Sequence, residues 1–458
     1  MQARRTALEA LSAVHARDAY ANLVLPGLLR RYRLRGADAA RATDLTYGTL
    51  RGTGTFDAVI EACSSRPLSR IDPMVHDALR LGVYQLLSTR VPPHAAVSTT
   101  VDLVRATSGA GAARFANAVL RQVAEHDLDA WVDLLSGPDA DPRDVAALRH
   151  QHPRWVVDAL AEAIGPDEQR LLDVLAADNV AARVTLAAIP GSSSVAELVA
   201  DGAQPGRWAS TAAVLPGGDP ATVPAVASGR ARVQDEGSQL VTLALLAAGL
   251  PGDVADEHWL DMCSGPGGKA TLLAGLAATR PAGPVHVLAA EIHQHRARLV
   301  RSALTSAGLV DNAAVVAADA TQAPWRAGGF SRVLLDAPCT GLGALRRRPE
   351  SRWRRAPSDL DRLVPLQRAL LHRAVDSAVD GGVVAYVTCS PHSAETVEVV
   401  GAVLAERDDV EVMDAPALLP DVPDTARGPY LQLWPDVHGT DAMFLALLRR
   451  EKGVNRWP

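Results

Sequence analysis

Hydrophobic positions in the first quarter of the chain repeat at helical spacing. Leu8, Leu11 and Val14, then Leu25, Leu28 and Leu29, fall three or four residues apart or side by side, so each set lines one helix face. Asp38 or Thr43 can open the next helix, with Leu45, Leu50 and Ile60 on one side. Asp72-Pro73 joins an N-cap acid to proline at the first helical position, predicting a helix that runs to Ser88. Two more helices are expected over residues 94–107 and 112–125. This part of the chain reads as all-helical.

An acidic Pro/Gly stretch, Ser136-Gly137-Pro138-Asp139-Ala140-Asp141-Pro142, reads as a linker or exposed turn. Helices are expected again over 153–164 and 166–177. Short β-type runs such as Arg183-Val184-Thr185-Leu186, separated by Gly and Pro, extend as far as residue 233. From 234 the pattern alternates. Apolar strands are expected at 258–262, 285–290, 313–317, 332–336 and 383–388, with helices at 268–279, 294–307 and 361–379. Apolar strands alternating with helices imply a parallel sheet covered on both faces. A late run at 442–448 could add an edge strand. The expected organisation is multidomain: an all-α domain at 1–130, a small α+β linking subdomain at 145–233 and a Rossmann-like α/β domain at 234–451.

Composition narrows the class. The chain has 458 residues, 48% apolar and 21% charged, as in a soluble globular protein. No run approaches a membrane span, and the N-terminus meets Glu9 and Asp18 too early for a secretory signal, so a cytoplasmic protein is expected. The net charge is -6, with 44 arginines against two lysines, Lys269 and Lys452. In so lysine-poor a chain, a lysine inside a glycine-rich loop is informative. Cys63, Cys263, Cys339 and Cys389 form no C-x-x-C pair and no histidines cluster at ligand spacing, so neither a metal site nor a disulfide framework is expected.

That loop is Asp261-Met262-Cys263-Ser264-Gly265-Pro266-Gly267-Gly268-Lys269, where a strand turns into a helix. Glycines there admit a ligand to the backbone, and the helix N-terminus offers unpaired N–H groups. Glu291 ends the next strand, 22 residues beyond Lys269, where an acid can bind a ribose diol. Asp319 follows the third strand, placed for an adenine amino group, and Asp336 ends the fourth. A Walker phosphate loop fails twice, at Cys263 and at Ala270. A dinucleotide oxidoreductase is permitted only by the looser pattern ending in Ala270. An acid at the end of each of four successive strands favours S-adenosylmethionine.

Two thiols stand at neighbouring strand ends, in Asp336-Ala337-Pro338-Cys339-Thr340-Gly341-Leu342-Gly343 and in Thr388-Cys389-Ser390-Pro391. Ligands of open α/β sheets bind beyond the carboxyl ends of the strands, so both should face the cofactor crevice. An isolated cysteine is more often a buried small hydrophobe; two at adjacent strand ends, one beside an aspartate, point to chemistry. Carbon 5 of cytosine is a poor nucleophile until a thiolate adds at carbon 6 and converts it to an enamine carbon. A carboxyl group near the ring nitrogen would stabilise that adduct. Either thiol could serve.

These motifs, with Tyr386-Val387-Thr388-Cys389-Ser390 and the lead-in Gln234-Asp235-Glu236-Gly237-Ser238-Gln239, closely resemble bacterial 16S ribosomal RNA cytosine-5 methyltransferases of the RsmB type, in the NOL1/NOP2/Sun superfamily. Asp44-Leu45-Thr46-Tyr47-Gly48-Thr49-Leu50-Arg51 resembles the NusB-like RNA-binding domain that precedes such enzymes. The resemblance implies that Cys389 is the nucleophile and that Cys339 helps resolve the adduct, with Asp336 assisting. It also implies S-adenosylmethionine against Cys263, Ser264, Gly265, Pro266, Gly267, Gly268, Lys269, Glu291, Asp319 and Asp336. Glu291 departs from the commoner Asp, with a longer reach to the same diol, and the extended loop around residues 279–284 departs too, as a lengthened surface turn.

Arg346-Arg347-Arg348-Pro349-Glu350-Ser351-Arg352-Trp353-Arg354-Arg355 holds six arginines directly after the Asp336 motif. Arginines engage phosphates and Trp353 offers a stacking face, so Arg347, Arg348, Arg352 and Trp353 are expected to contact RNA. Seven arginines in the first 35 residues could do the same or simply form a solvated face. The expected partner is 16S rRNA, the expected state a monomer. The rivals are a tRNA cytosine-5 methyltransferase and a non-enzymatic NusB-like RNA-binding factor, which would have lost the cofactor loop or the thiols.

Overall fold

The computed structural model describes residues 1–250, 257–283 and 285–451. It divides the chain into two units: Met1–Val180 with Leu345–Ala356, and Ala181–Ala344 with the chain from Pro357 onward. Pro284, at the end of the turn expected to be lengthened, lies outside the described residues.

The first unit is helical. Gln2–Arg17, Gly36–Arg51, Thr53–Cys63, Pro73–Leu87 and Pro93–Val123 supply a core that includes Leu8, Leu11, Leu45, Leu50, Phe56, Ile60, Leu79 and Leu120. The periodic leucines of the sequence are thus its buried face. Asp72 caps its helix as expected, accepting from the N–H groups of Met74 and Val75. The two helices expected at 94–107 and 112–125 are one run interrupted at Gly109, whose φ of 84° breaks the helical path. Leu128–Ser136 and Pro142–Arg149 were not foreseen; both are short, and each is capped by an aspartate, Asp127 and Asp141. Arg154–Ile164 and Glu168–Ala177 belong to this unit as well. The expected linking subdomain at 145–233 is therefore divided, its helices in the first unit and its strands in the second.

The second unit holds two sheets. Strands β1 (Thr185–Ala188), β2 (Gln204–Pro205), β3 (Ala212–Val214) and β4 (Ala231–Val233) form a small antiparallel sheet in the order β2-β3-β1-β4. The lead-in motif bonds this sheet to the helix Glu236–Ala247. Gln239 accepts from Thr211 Oγ1 and donates to the carbonyls of Leu186 and Gln234, while Glu236 accepts from the N–H groups of Trp208 and Ala209.

The large sheet contains β5 (His258–Asp261), β6 (His286–Glu291), β7 (Ala313–Ala317), β8 (Phe330–Asp336), β9 (Ala378–Thr388), β10 (Val410–Val412), β11 (Ala426–Arg427), β12 (Tyr430–Gln432) and β13 (Phe444–Arg450). Its order is β11-β12-β13-β9-β8-β5-β6-β7, with β10 also paired to β13. Strands β5 to β9 are mutually parallel, and β13 runs antiparallel to β9. The late strand is not an edge. Phe444, Leu445, Ala446, Leu447 and Leu448 are all buried, as an internal strand requires. From β5 the chain runs outward through β6 and β7, then restarts on the other side of β5 with β8. That reversal opens a crevice at the carboxyl ends of β5 and β8.

The arginine-rich segment departs most from expectation. Leu345–Ala356 folds into the helical unit, and Arg352 is fully buried. Its guanidinium donates to the carbonyls of Gln151 and Asp178 and to Asn179 Oδ1, and burial lowers its pKa to about 9. Trp353 donates its indole N–H to the Arg51 carbonyl and lies on Gly54, where a Cβ would come within 2.2 Å of the ring. Arg352 is thus a structural anchor in place of the expected RNA contact, while Trp353 is half-buried. An arginine stem is apolar and its fork suits several carbonyls, so a charge run can be buried if oxygens meet it. Arg348 is exposed and stacks over Tyr20 at 5.3 Å. Arg352→Ala is expected to lower stability by about 1–3 kcal/mol in urea unfolding. The slope of RNA affinity against salt should stay unchanged; a shallower slope would restore Arg352 to the RNA surface.

Candidate active site

Local geometry at the crevice derives from strand ends and one glycine loop. Asp261 ends β5, and the chain then turns through Ser264, whose N–H donates to the Ala290 carbonyl at 2.9 Å. Gly265 and Gly267 have φ of 56° and 94°. A Cβ at Gly267 would stand 3.1 Å from Val300 Cα, so only glycine lets the loop lie this close to helix Gln294–Ser306. Helix Gly268–Ala278 starts directly after it, its first N–H groups facing the crevice end of the sheet.

Lys269 is buried and bonds Asp336 through Nζ and Oδ2 at 2.8 Å. Burial alone would lower its pKa, but the charge and hydrogen bond of Asp336 raise it, so it stays a cation. Asp261 is fully buried; the Cys263 N–H and the Ser264 hydroxyl lie near its carboxylate, but neither makes a well-formed hydrogen bond to it. Burial first, then the neighbouring charge of Asp336, pushes its pKa up to about 7. Glu291, 4% exposed, accepts from the His293 N–H at 3.0 Å, with Arg296 Nε 3.7 Å from its other oxygen. Asp319 is exposed and accepts from the N–H and hydroxyl of Thr321, which fixes the turn after β7. Cys263 is a poor nucleophile, since burial and then the surrounding acids raise its pKa.

The two strand-end cysteines meet. Cys339 Sγ and Cys389 Sγ are 3.5 Å apart. The hydrogen bond between them, which either sulfur could donate, lowers the pKa of Cys389 and raises that of Cys339, the direction that favours Cys339 as donor. The charge of Lys269 also helps to lower the Cys389 pKa. Gly341, at φ 77°, faces the pair; a Cβ there would lie 4.0 Å from Cys389 Sγ. Glycine keeps that side of the sulfur open.

The structure therefore brings Lys269, Asp336, Cys339 and Cys389 together, with Asp261 beside them. Gly265, Pro266, Gly267, Gly268, Cys263 and Ser264 form the adjoining loop. Arg347, Arg348, Arg352 and Trp353 belong to the other unit. Sequence reasoning counted Asp261 among the four strand-end acids but missed Gln367 and Glu395, which hold the Cys339 loop at Pro338 and Thr340.

A parallel α/β sheet with a glycine loop, strand-end acids and paired thiols at its switch point defines a methyltransferase, preceded here by a helical domain. The NusB family matches residues 1–125, and the 16S rRNA methyltransferase RsmB/F family matches residues 252–449. A putative methyltransferase of Mycobacterium tuberculosis strain CDC 1551 is 51% identical over 453 residues, 98% of this chain and 96% of its own. A ribosomal RNA small subunit methyltransferase B of Pseudomonas putida strain KT2440 is 32% identical, covering 90% of this chain and 91% of its own. The crystal structure of PH0851 shares the fold, with a TM-score of 0.78 at 20% identity over 98% of both chains. The chain belongs to the 16S rRNA methyltransferase RsmB/F family.

Asp261 couples this site to pH. Between its ordinary value of 3.8 and about 7, the folded protein holds a proton that the unfolded chain releases. Folding therefore loses stability as pH rises through that window. Asp261→Asn should abolish this dependence, with the stability difference moving in the variant's favour from pH 4 to pH 8. Urea unfolding of the ligand-free protein across that range checks it; parallel curves would contradict it.

Proposed function

We propose that the protein methylates carbon 5 of a cytosine in 16S ribosomal RNA, with S-adenosylmethionine as donor and Cys389 as covalent nucleophile. The observation that carries the reading is the 3.5 Å thiol pair at the carboxyl ends of β8 and β9, beside Lys269 and Asp336. Methylation of an amine or oxygen would need no thiol.

The residues present fit S-adenosylmethionine. Asp261 has two buried oxygens without a well-formed hydrogen bond, Glu291 stands at the end of the next strand, and the Gly267 turn leads directly into helix Gly268–Ala278. A bound donor supplies an electrophilic methyl group. Loop 263–269 and Glu291 would hold it, and Asp319 would reach its adenine amino group.

The chain's own groups account for the remaining steps. The Cys389 thiolate adds to carbon 6 of the base, forming an S–C6 bond as the C5–C6 π electrons shift through carbon 4 to ring nitrogen 3. That nitrogen takes up a proton from water, its N–H donates to the Asp336 carboxylate, and the proton returns to water on release. Lys269 holds Asp336 in place through the 2.8 Å bond from Nζ to Oδ2. After methylation at carbon 5, loss of the carbon 5 proton to a base in the crevice re-forms the C5–C6 double bond. The S–C6 bond breaks with its electrons returning to Cys389. Cys339 donates its S–H to the departing sulfur, which restores the starting pair.

RNA binding is supported by the NusB match and by exposed arginines on the helical unit, among them Arg5, Arg30, Arg33 and Arg35. Arg347 and Arg348 are retained from the expected contact set.

Labelled S-adenosylmethionine and unmodified 16S RNA should yield label in 5-methylcytidine. Cys389→Ala should lose turnover and keep cofactor binding, whereas Cys339→Ala should accumulate a protein–RNA adduct stable to denaturant. Label in another nucleoside would redirect the assignment. Separately, joint replacement of Arg347 and Arg348 by Ala should weaken RNA binding and reduce the log–log salt slope by about one per lost phosphate contact. Equal slopes for variant and wild type would remove both from the RNA surface.

A further inference from the structure

Between the end of β8 and the turn at Leu342–Ala344 the chain carrying Cys339 lies in neither helix nor strand. Its thiol nevertheless sits at a defined distance from Cys389. Two side chains from elsewhere in the second unit hold the peptide groups on both sides of Cys339. Before it, the Pro338 carbonyl accepts from Gln367 Nε2 at 2.8 Å. After it, the Thr340 N–H donates to Glu395 Oε1 at 2.7 Å, and the Thr340 hydroxyl donates to Glu395 Oε2. Gln367 Nε2 also donates to Glu395 Oε1 at 3.1 Å, closing the clamp.

Glu395 and Gln367 are both fully buried. Glu395 is itself tied to the strand that carries Cys389, because its carbonyl accepts from the Tyr386 hydroxyl at 2.7 Å. Carboxylate is the side chain suited to this place. It offers two acceptor oxygens and no donor, and here three donors converge on it. An apolar residue would leave the buried Thr340 N–H unpaired.

We infer that Glu395, with Gln367, is a positioning residue that sets the Cys339 thiol against Cys389 for the release step. This inference rests on the covalent reading above and extends it. The Glu395 charge acts in the same sense as the geometry: with Asp336 it disfavours ionisation of Cys339, after the larger effects of the Cys389 hydrogen bond and burial. Both effects favour Cys339 as the S–H donor to Cys389. Release, not attack, is the step that suffers when the clamp is lost.

The test compares full-length wild type, Cys339→Ala, Glu395→Ala, Glu395→Gln and Gln367→Leu with 16S RNA and labelled S-adenosylmethionine. Turnover, denaturant-stable adduct and affinity for S-adenosylhomocysteine are the readouts. Glu395→Ala is expected to turn over about tenfold more slowly or worse, to accumulate adduct as Cys339→Ala does, and to bind S-adenosylhomocysteine like wild type. Glu395→Gln keeps an acceptor for the Thr340 N–H and should recover part of the rate. The double variant Glu395→Ala/Cys339→Ala should be no slower than Cys339→Ala. Wild-type turnover by Glu395→Ala, or parallel loss of adduct and cofactor binding, would overturn the inference. If Glu395→Ala does not fold, Gln367→Leu decides: adduct accumulation supports the clamp, wild-type kinetics refute it. Absence of adduct in Cys339→Ala together with absence of label in 5-methylcytidine would bring down the covalent reading itself.

Discussion

The register between β8 and β9 is the constraint on which the site depends. Leu335 pairs with Tyr386 and Asp336 with Val387, so the two parallel strands end level with one another. The pairing continues past the strands, where the Ala337 N–H donates to the Val387 carbonyl and the Gly343 N–H to the Cys389 carbonyl. Cysteines 50 residues apart in sequence are thereby fixed within one thiol hydrogen bond. A slip of one residue would turn every side chain of a strand to the opposite face of the sheet. It would also separate the sulfurs and remove Asp336 from Lys269. The buried runs of both strands make that slip costly, because Val333, Leu334, Leu335, Val384, Ala385 and Tyr386 pack on both faces.

Charge at the crevice is arranged around a single buried cation. Lys269 has one close carboxylate, Asp336, while Asp261 and the Cys389 sulfur also lie within its field. Two acids and a potential thiolate cannot all ionise beside one lysine without large cost in a low-dielectric setting. Asp261 responds by holding its proton more tightly, burial and the neighbouring Asp336 pushing its pKa up to about 7. Its oxygens, without a well-formed hydrogen bond, are a local destabilisation that a ligand bearing hydrogen-bond donors would relieve, and strain of this kind is tolerated where binding removes it.

Much of this was legible in the sequence because strands buried on both faces read as continuous apolar runs. The positions of β5 to β9 emerge from that pattern to within a few residues, and the ligand-facing residues from their carboxyl ends. The pattern failed where burial depends on partners distant in sequence. The run at 442–448 looked like an edge because nothing local shows that β11 and β12 will cover it. Arg352 looked like a phosphate contact because a charge run carries no mark of the carbonyls that receive it; Gln151 and Asp178 lie more than 170 residues away. Glu395 and Gln367 were invisible for the same reason. Each is an ordinary helix or turn residue until the fold brings Thr340 and Pro338 to it.

The paired thiols also explain why one cysteine would serve less well on the proposed reading. A nucleophile must be ionised to attack, yet a thiolate held permanently by a strong cation would be stabilised in the ground state and attack more weakly. Lys269 cannot act alone in any case, since its short bond is to Asp336. A neutral thiol offers a weaker and reversible stabilisation: it hydrogen-bonds the sulfur anion before attack, loses that partner when the S–C6 bond forms, and regains it on release. It does this without adding a charge beside Asp336 and Asp261. The arrangement requires that the second thiol stay protonated and in reach throughout, and that requirement places an acidic, buried clamp next to Cys339 and a cation next to Cys389.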